Sequence, residues 1–363
     1  MKESIGVGFI GTGFARRVQI PAFQACDNAR IVSIASGSLE NAKSAADESG
    51  AEHFTDNWRE TVERCDVDFV CITTPPNLHR EMAEAALAAG KHVLAEKPVA
   101  MNVAEADAMA DFAKRSGKLA LIDHELRFLP GRQKAKAMLH SGAIGTIRHA
   151  KYTFKAPHRG DNTQKWDWWS SKEAGGGALG AIGSHVIDSF LWFLETGIES
   201  VDAQLQTHIK ERPFEGGMRA VETDDQVNML LRFRDGKVTN YATGLVSVSM
   251  IEGPEYVNCI EFVGSEGWMR VGHRGDVYIA KRGEAEWSAI EVEYPPSIDG
   301  IFESGSPSGF MAFAPKIIDA IIRGDDAIEN AATFEDGVNV QRVLDAARRS
   351  SETGERTRVS PCV

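Results

Sequence analysis

Lys97 lies between Glu96 and Pro98, directly after the apolar run Val93-Leu94-Ala95. Such a run, entered from Gly90-Lys91-His92 after an amphipathic segment, predicts a buried parallel strand with the tripeptide at its carboxyl end. Ligands of open α/β sheets bind at that end. A lysine held there between a carboxylate and a proline is a candidate for proton transfer. Taken alone, the tripeptide reads equally well as an ordinary turn. His185 and Asp188 form a second candidate pair, three apart on one face of the apolar helix expected after Gly175-Gly176-Gly177. A lone histidine on such a helix is more often a satisfied core residue.

The elements that position Lys97 begin at the amino terminus. Ile5–Ile10 reads as a buried strand, Gly11-Thr12-Gly13 as a tight turn, and the segment from about Phe14 to Ala25 as a helix. Strand, Gly-x-Gly turn and helix in that order are a dinucleotide-binding start, with pyrophosphate expected on the helix amino terminus. The fingerprint's third glycine is replaced by Arg16, which must widen the packing of helix on strand or be accommodated by Gly6 or Gly8 opposite. A second strand, Arg30 to Ala35, ends in Ser36-Gly37-Ser38, where an NAD-preferring site offers an acidic residue to the ribose. No carboxylate is present to repel a 2′-phosphate. Ser36 and Ser38, with Asn41 and Lys43 on the next helix, lean the expectation from NAD to NADP; the plain alternative is a glycine turn with a solvated helix face.

Val67–Ile72 is the next strand, followed by Thr73-Thr74-Pro75-Pro76-Asn77-Leu78-His79. The prolines force an extended turn, and Asn77 is expected to cap the helix Leu78 to Ala89. His79 reads as a solvated first-turn residue more readily than as a catalytic one. A helix from Ala104 to Arg115 and a strand Leu119 to Ile122 continue the alternation, which gives a doubly wound parallel sheet.

The chain has 363 residues, 43% hydrophobic and 25% charged, which suits a globular protein of about two domains. A net charge of −12 argues against a nucleic-acid partner. Cys26, Cys65, Cys71, Cys259 and Cys362 show no CxxC pair and no metal-ligand spacing. Free thiols in a reducing cytoplasm and no metal site are expected. Met1-Lys2-Glu3-Ser4 runs straight into the first strand and leaves no room for a signal peptide, and no stretch reaches membrane-spanning length. The first domain is expected at 1–123 and the second at 124–363, the last helices packing back towards the first. Beyond Asp123 the strands lengthen and alternate, as at Ile147–Lys155, Val201–His208, Gln226–Arg234 and Lys237–Leu245. That pattern gives an α+β domain with a large, mostly antiparallel sheet covered by helices on one face. Phe310–Arg323 and Phe334–Ser351 read as closing amphipathic helices.

Gly11-Thr12-Gly13, Thr73-Thr74-Pro75-Pro76-Asn77-Leu78-His79 and Glu96-Lys97-Pro98 together resemble the glucose-fructose oxidoreductase, inositol dehydrogenase and MocA family. The resemblance continues through His124-Glu125-Leu126-Arg127-Phe128, Ser141-Gly142-Ala143-Ile144-Gly145-Thr146-Ile147, Gly183-Ser184-His185-Val186-Ile187-Asp188 and Ile260-Glu261-Phe262-Val263-Gly264-Ser265-Glu266-Gly267. It implies a Rossmann domain followed by a domain whose open sheet face supports a homodimer or homotetramer. It implies NAD or NADP against Gly11, Thr12, Gly13, Phe14 and Ala15; against Ser36, Gly37, Ser38 and Lys43; against Thr73, Thr74, Pro75, Asn77 and His79; and against Glu96, Lys97 and Pro98. His185 resembles the family's catalytic histidine, which accepts the hydroxyl proton as hydride leaves for nicotinamide, while Lys97 polarises the developing carbonyl or relays the proton. Many relatives carry an aspartate four residues before that histidine; here the position is Ala181. Its loss weakens the histidine as a base unless Asp188 or another acid substitutes.

Arg127, Trp166 and Asp188 are expected to contact substrate. Trp166-Asp167-Trp168-Trp169 offers aromatic faces to a sugar or polyol ring, with Asp167 or Arg127 reading hydroxyls, although a tryptophan cluster is more often packing. His158 and Arg159 belong to a polar loop expected to cover the site. The expected activity is hydride transfer between NAD(P) and a secondary alcohol of a sugar, polyol or related hydroxy compound. The alternatives are glycoside cleavage with retained NAD and a non-catalytic sensor on the same fold, which Ala181 keeps open.

Overall fold

A computed structural model describes residues 3–294 and 304–360. Cys362 therefore lies outside the described residues; Cys26, Cys65, Cys71 and Cys259 are all unbridged. The chain divides into two compact units, the first formed by described residues 3–128 and 304–338 and the second by 129–294 and 339–360.

In the first unit, strands β1 (Ile5–Ile10), β2 (Ala29–Ala35), β3 (His53–Thr55), β4 (Phe69–Ile72), β5 (His92–Ala95) and β6 (Ala120–Ile122) form a parallel sheet in the order β6-β5-β4-β1-β2-β3. A short antiparallel strand, Ala332–Thr333, pairs with β6 at the edge. Every residue of β1 and β4 is buried, so these strands are apolar throughout rather than alternating. Helices α1 (Ile20–Gln24), α2 (Leu39–Ser49), α3 (Trp58–Glu63), α4 (His79–Ala88) and α5 (Val103–Ser116) make the crossovers. The α5 start is a capping box: Asn102 Oδ1 accepts Glu105 N–H at 3.0 Å, and the Glu105 carboxylate accepts from Met101 N and Asn102 Nδ2.

The chain enters the first unit twice, at 3–128 and again at 304–338, beside the expectation of a first domain at 1–123 with the last helices packing back towards it. Helix Gly305–Arg323 buries Phe310, Phe313, Ala314 and Ile317 in the same core as Phe9, Phe23 and Phe69. Phe128 stacks on Phe313 with ring centroids 4.1 Å apart. This apolar stripe holds both segments in the first unit.

The second unit is built on a sheet of β7 (Ile147–Lys155), β8 (Ile198–Gln206), β11 (Gln226–Phe233), β12 (Thr239–Ser249), β13 (Val257–Gly264), β14 (Gly267–Val271), β15 (Val277–Lys281) and β16 (Ser288–Ile290), with β9 (Glu211–Phe214) and β10 (Gly217–Ala220) as a separate hairpin. Strand Thr357–Arg358 pairs antiparallel with β8. Every pairing in the large sheet is antiparallel except β7 with β12. Burial alternates along β11, as a sheet with one covered face requires. Helix α7 (Ser184–Leu194) supplies Val186, Ile187, Phe190 and Phe193 to this core, and α6 (Pro130–His140) supplies Ala135 and Leu139. Helix Phe334–Thr353 contributes residues 334–338 to the first unit and 339–353 to the second.

Candidate active site

Five site positions of the first unit stand in one row. Ala35, Ile10, Ile72, Ala95 and Ile122 are in register across β2, β1, β4, β5 and β6. The residues after them are Ser36, Gly11, Thr73, Glu96 and Asp123. Gly11 N–H donates to Ala35 O at 2.8 Å, Thr73 N–H to Ile10 O at 2.8 Å, Glu96 N–H to Ile72 O at 2.9 Å and Asp123 N–H to Ala95 O at 2.9 Å. This is the carboxyl edge of a parallel sheet in the Rossmann strand order, where open α/β folds bind ligands.

The β1 turn fits a dinucleotide. Gly11 has φ +102°, and a Cβ there would lie 2.6 Å from both the carbonyl and hydroxyl oxygens of Thr73. Gly13 is different: nothing lies within 4 Å of where its Cβ would be. One glycine therefore serves the close approach of two loops, and the other leaves open space where the following helix begins. Thr12 and Phe14 are half-buried and Ala15 is fully buried in that first turn. Neither Gly6 nor Gly8 accommodates Arg16: Cβ atoms there would collide with Asp66 and Thr61 instead. Residues Ala15–Gln19 form a π-helical turn, and Arg16 turns outward to pair with Glu48 and donate to Ser44 Oγ.

After β2, Ser38 caps α2 by accepting Asn41 N–H at 3.3 Å, while Ser36 Oγ accepts Ser38 N–H at 3.4 Å. Gly37 has an open Cβ position. Lys43 is exposed and paired with Asp47 at 2.8 Å.

The loop after β4 corrects two expectations. Asn77 caps no helix: Pro76–Leu78 form a 3₁₀ turn, Leu78 occupies the cap position of α4 without a side-chain bond, and Asn77 is exposed. The consecutive prolines, Pro75 and Pro76, tighten the entry by a turn and displace the cap. His79 is not solvated but fully buried. Its Nε2 lies 2.8 Å from Thr74 O and its Nδ1 3.1 Å from Pro98 O, so the ring ties the β4 loop to the tripeptide loop. Burial pushes its pKa below the ordinary value of 6.5. Thr73 Oγ1 donates to Ile10 O at 3.3 Å and Thr74 Oγ1 to Met82 Sδ at 3.5 Å.

Beside Lys97 the structure gathers polar residues that the sequence reading missed. Gln19 and Asp123 are buried at 1% and 0% exposure. Gln19 Nε2 donates to Asp123 Oδ2 at 2.7 Å and to Glu96 Oε1 at 3.3 Å. Glu125 is buried as well and bonds to Ser306. Burial first, then neighbouring carboxylates, pushes Asp123 far above its ordinary range, and burial pushes Glu125 to about 7. The available signal was positional: Asp123 follows its apolar strand as Glu96 follows β5.

In the second unit, residues Leu179–Gly183 form a π-helical turn running into α7. Half-buried His185 is the second residue of α7, and its carbonyl accepts Ser189 Oγ–H at 2.6 Å. Ala181 precedes it by four residues, with its N–H on Gly177 O at 3.0 Å; Asp188 is 3% exposed. A carboxylate the sequence reading missed secures this segment. Asp224 Oδ2 accepts Leu179 N–H at 2.6 Å and Asp224 O accepts Ala178 N–H at 2.9 Å. A Cβ on Gly177, at φ +103°, would come within 2.6 Å of Asp224 Oδ1. Burial raises the Asp224 carboxyl to about 6.

The other candidates have structural partners. Arg127, 5% exposed, donates to Asp336 Oδ1 at 3.1 Å within the first unit. Trp166 packs on Phe214 with Arg219 over its ring, and its Nε1 donates to Ala220 O at 3.0 Å. Asp167, expected to read hydroxyls, takes a two-pronged pair from Arg159 at 2.8 and 2.9 Å. That pair also fastens Arg159 within its own loop. Among the described residues no group of three or more His, Cys, Asp or Glu is placed to hold a metal ion.

Residues 5–124 match the model of the oxidoreductase family with the NAD-binding Rossmann fold, and residues 132–270 match the family's C-terminal domain. An uncharacterised oxidoreductase of Synechocystis is 34% identical over 58% of this chain and 56% of its own length. Levoglucosan dehydrogenase of Pseudarthrobacter phenanthrenivorans is 34% identical over 65% of this chain. The chain thus spans 56% and 66% of the length of these two relatives. A solved structure of levoglucosan dehydrogenase with NADH and L-sorbose superposes with a TM-score of 0.89 at 29% identity, covering 99% of this chain and 100% of that one. With the Rossmann strand order, the glycine turn and both domain models in agreement, the chain belongs to the glucose-fructose oxidoreductase, inositol dehydrogenase and MocA family of oxidoreductases.

Proposed function

We propose that this protein moves hydride between a nicotinamide dinucleotide and a secondary alcohol or carbonyl carbon of a sugar, polyol or related hydroxy compound. The observation that carries the reading is Lys97, placed directly after Glu96 in the row at the carboxyl edge of the Rossmann sheet. The resemblance to levoglucosan dehydrogenase, solved with NADH and L-sorbose, supports the substrate class.

The bound cofactor supplies the hydride acceptor or donor. Gly11 and Gly13 admit its pyrophosphate, and Thr12, Phe14 and Ala15 line that turn. Thr73, Thr74, Pro75 and Asn77 flank the next strand end, and His79 holds their loop to Pro98 from within. Lys97 polarises the oxygen on the reacting carbon, and His185 takes or returns the hydroxyl proton. Trp166 offers an apolar ring face to the substrate, and Arg127 and Asp188, both buried, are its polar contacts in this reading. Ser36, Gly37 and Ser38 in place of a carboxylate, with Lys43 one turn on, favour NADP; a 2′-phosphate there competes with Asp47 for Lys43.

We also read the uncovered sheet face, where Leu230, Leu245 and Tyr241 are exposed, as the contact of a homodimer or homotetramer. The free cysteines support a cytoplasmic setting.

The test is absorbance of reduced nicotinamide from purified protein given NAD or NADP with sugars, polyols and inositols, levoglucosan and L-sorbose included. Turnover that disappears in Lys97→Ala and His185→Ala supports the reading. Dinucleotide binding without turnover on any substrate would favour a sensor, and product formed without added nicotinamide would favour retained-cofactor chemistry.

A further inference from the structure

Glu96 and Asp123 end neighbouring strands, and one amide nitrogen gathers their carboxyl groups: Gln19 Nε2 donates to Asp123 Oδ2 at 2.7 Å and to Glu96 Oε1 at 3.3 Å. Two ionised carboxylates drawn to one donor offer each other only acceptors and repel, and a proton on one of them removes that repulsion. Among the described residues, neither Asp123 Oδ1 nor Gln19 Oε1 meets a donor, and both residues are buried. A bare charge on Asp123 would leave a dry, unmatched oxygen; a proton there turns an acceptor without a donor into a donor.

We propose that Glu96 and Asp123 share one proton at neutral pH, that the pair therefore carries one negative charge beside Lys97, and that Asp123 is a positioning residue for that lysine. The inference deepens the role given to Lys97 and rests on that reading only for its catalytic meaning.

The charged and titratable groups facing the pair agree with it. Lys97 follows Glu96 in the chain and favours one anion. Glu125, bonded to Ser306, adds a third carboxyl, so full ionisation would set three like charges together. The Cys71 thiol of β4 is buried and held neutral by burial and by Asp123 and Glu96. Burial raises both carboxyls of the pair, while Lys97 pulls them back. Stored this way, the charge stays single as pH varies around neutrality, and the lysine keeps a constant counter-charge.

Infrared spectroscopy of the full-length, cofactor-free protein reads the proton directly. A protonated-carboxyl stretch is expected at neutral pH in the wild type, losing one carboxyl's intensity in Asp123→Asn, which is isosteric with the neutral form. Lys97 is followed at neutral pH by NMR of the methylated protein, its signal assigned by loss in Lys97→Arg; its chemical shift is expected to be kept in D123N, where one negative charge remains, and to move in E96Q/D123N, where none does. Absence of the band in the wild type overturns the proposal, and no variant need fold for that result. A band that survives D123N but vanishes in Glu125→Gln also overturns it, by placing the proton on Glu125. So does a Lys97 signal unmoved in the double variant. None of these readouts involves turnover, so failure here is distinct from failure to find a dehydrogenase.

Discussion

Asp224 and Leu179 are joined by a hydrogen bond of 2.6 Å, the backbone N–H of Leu179 donating to the carboxylate at the start of the helical segment that carries His185. Burial raises the Asp224 carboxyl from 3.8 to about 6. For an acid whose folded pKa is raised, the associated stability is complete below the unfolded pKa and is lost as pH rises through the folded one. Urea unfolding of the wild type should therefore lose on the order of 2 kcal/mol between about pH 4 and pH 7 relative to Asp224→Asn. Parallel pH curves for the two proteins would refute this.

His79 carries the opposite sign. Its pKa is lowered by burial, so its contribution is present above the ordinary value of 6.5 and fades as pH falls below it. The neutral ring has one N–H to share between the carbonyls of Thr74 and Pro98, so His79→Ala removes one donor along with the buried ring and should cost about 2 kcal/mol at neutral pH. Thermal unfolding at neutral and mildly acidic pH measures both effects, and a cost that does not shrink in acid would contradict the assignment.

The two glycines of the β1 turn should separate folding from binding. Gly11→Ala meets Thr73 at 2.6 Å in a left-handed backbone region and should lower the melting temperature as well as dinucleotide affinity. Gly13→Ala meets no protein atom within 4 Å, so its melting temperature should match the wild type while its Kd for dinucleotide rises roughly tenfold or more. An unchanged Kd in Gly13→Ala would remove this turn from the cofactor site.

Selectivity is tested at the end of β2. Ser36→Asp should weaken NADPH by about tenfold or more and spare NADH, because the new carboxylate repels only the 2′-phosphate. Lys43→Ala should weaken NADPH alone by a smaller factor, its charge being exposed and shared with Asp47. Fluorescence titrations with both cofactors decide; equal losses for the two would count against the NADP reading.

β1 and β4 were legible because they are unbroken apolar runs between glycine and proline signals, and the bounds of β7 were read to the residue, whereas the short β3 was not read at all. What escaped were contacts made across the chain. Nothing near position 19 signals that Gln19 reaches Glu96 and Asp123, 77 and 104 residues away. Asp224 likewise reaches back 45 residues to Leu179. His79 read as solvated because helix-start positions usually are; the loop of Pro98 closes over it and reverses that expectation. Arg16 replaced a glycine without strain because the π-helical turn rotates it towards Glu48.

The in-register ends of β2, β1, β4, β5 and β6 act as a ruler. Adjacent parallel strands repeat every 4.8 Å or so, placing Ser36 and Asp123 close to 20 Å apart across the row, with Gly11, Thr73 and Glu96 as graduations between them. Each graduation is set by a backbone N–H on its neighbour's carbonyl, not by the side chain it bears. Except at Gly11, where a Cβ would strike Thr73, exchange of a side chain thus changes what is written at a mark without moving the mark. A one-residue slip of any strand would shift its mark by about 3.3 Å and turn its side chain to the opposite face.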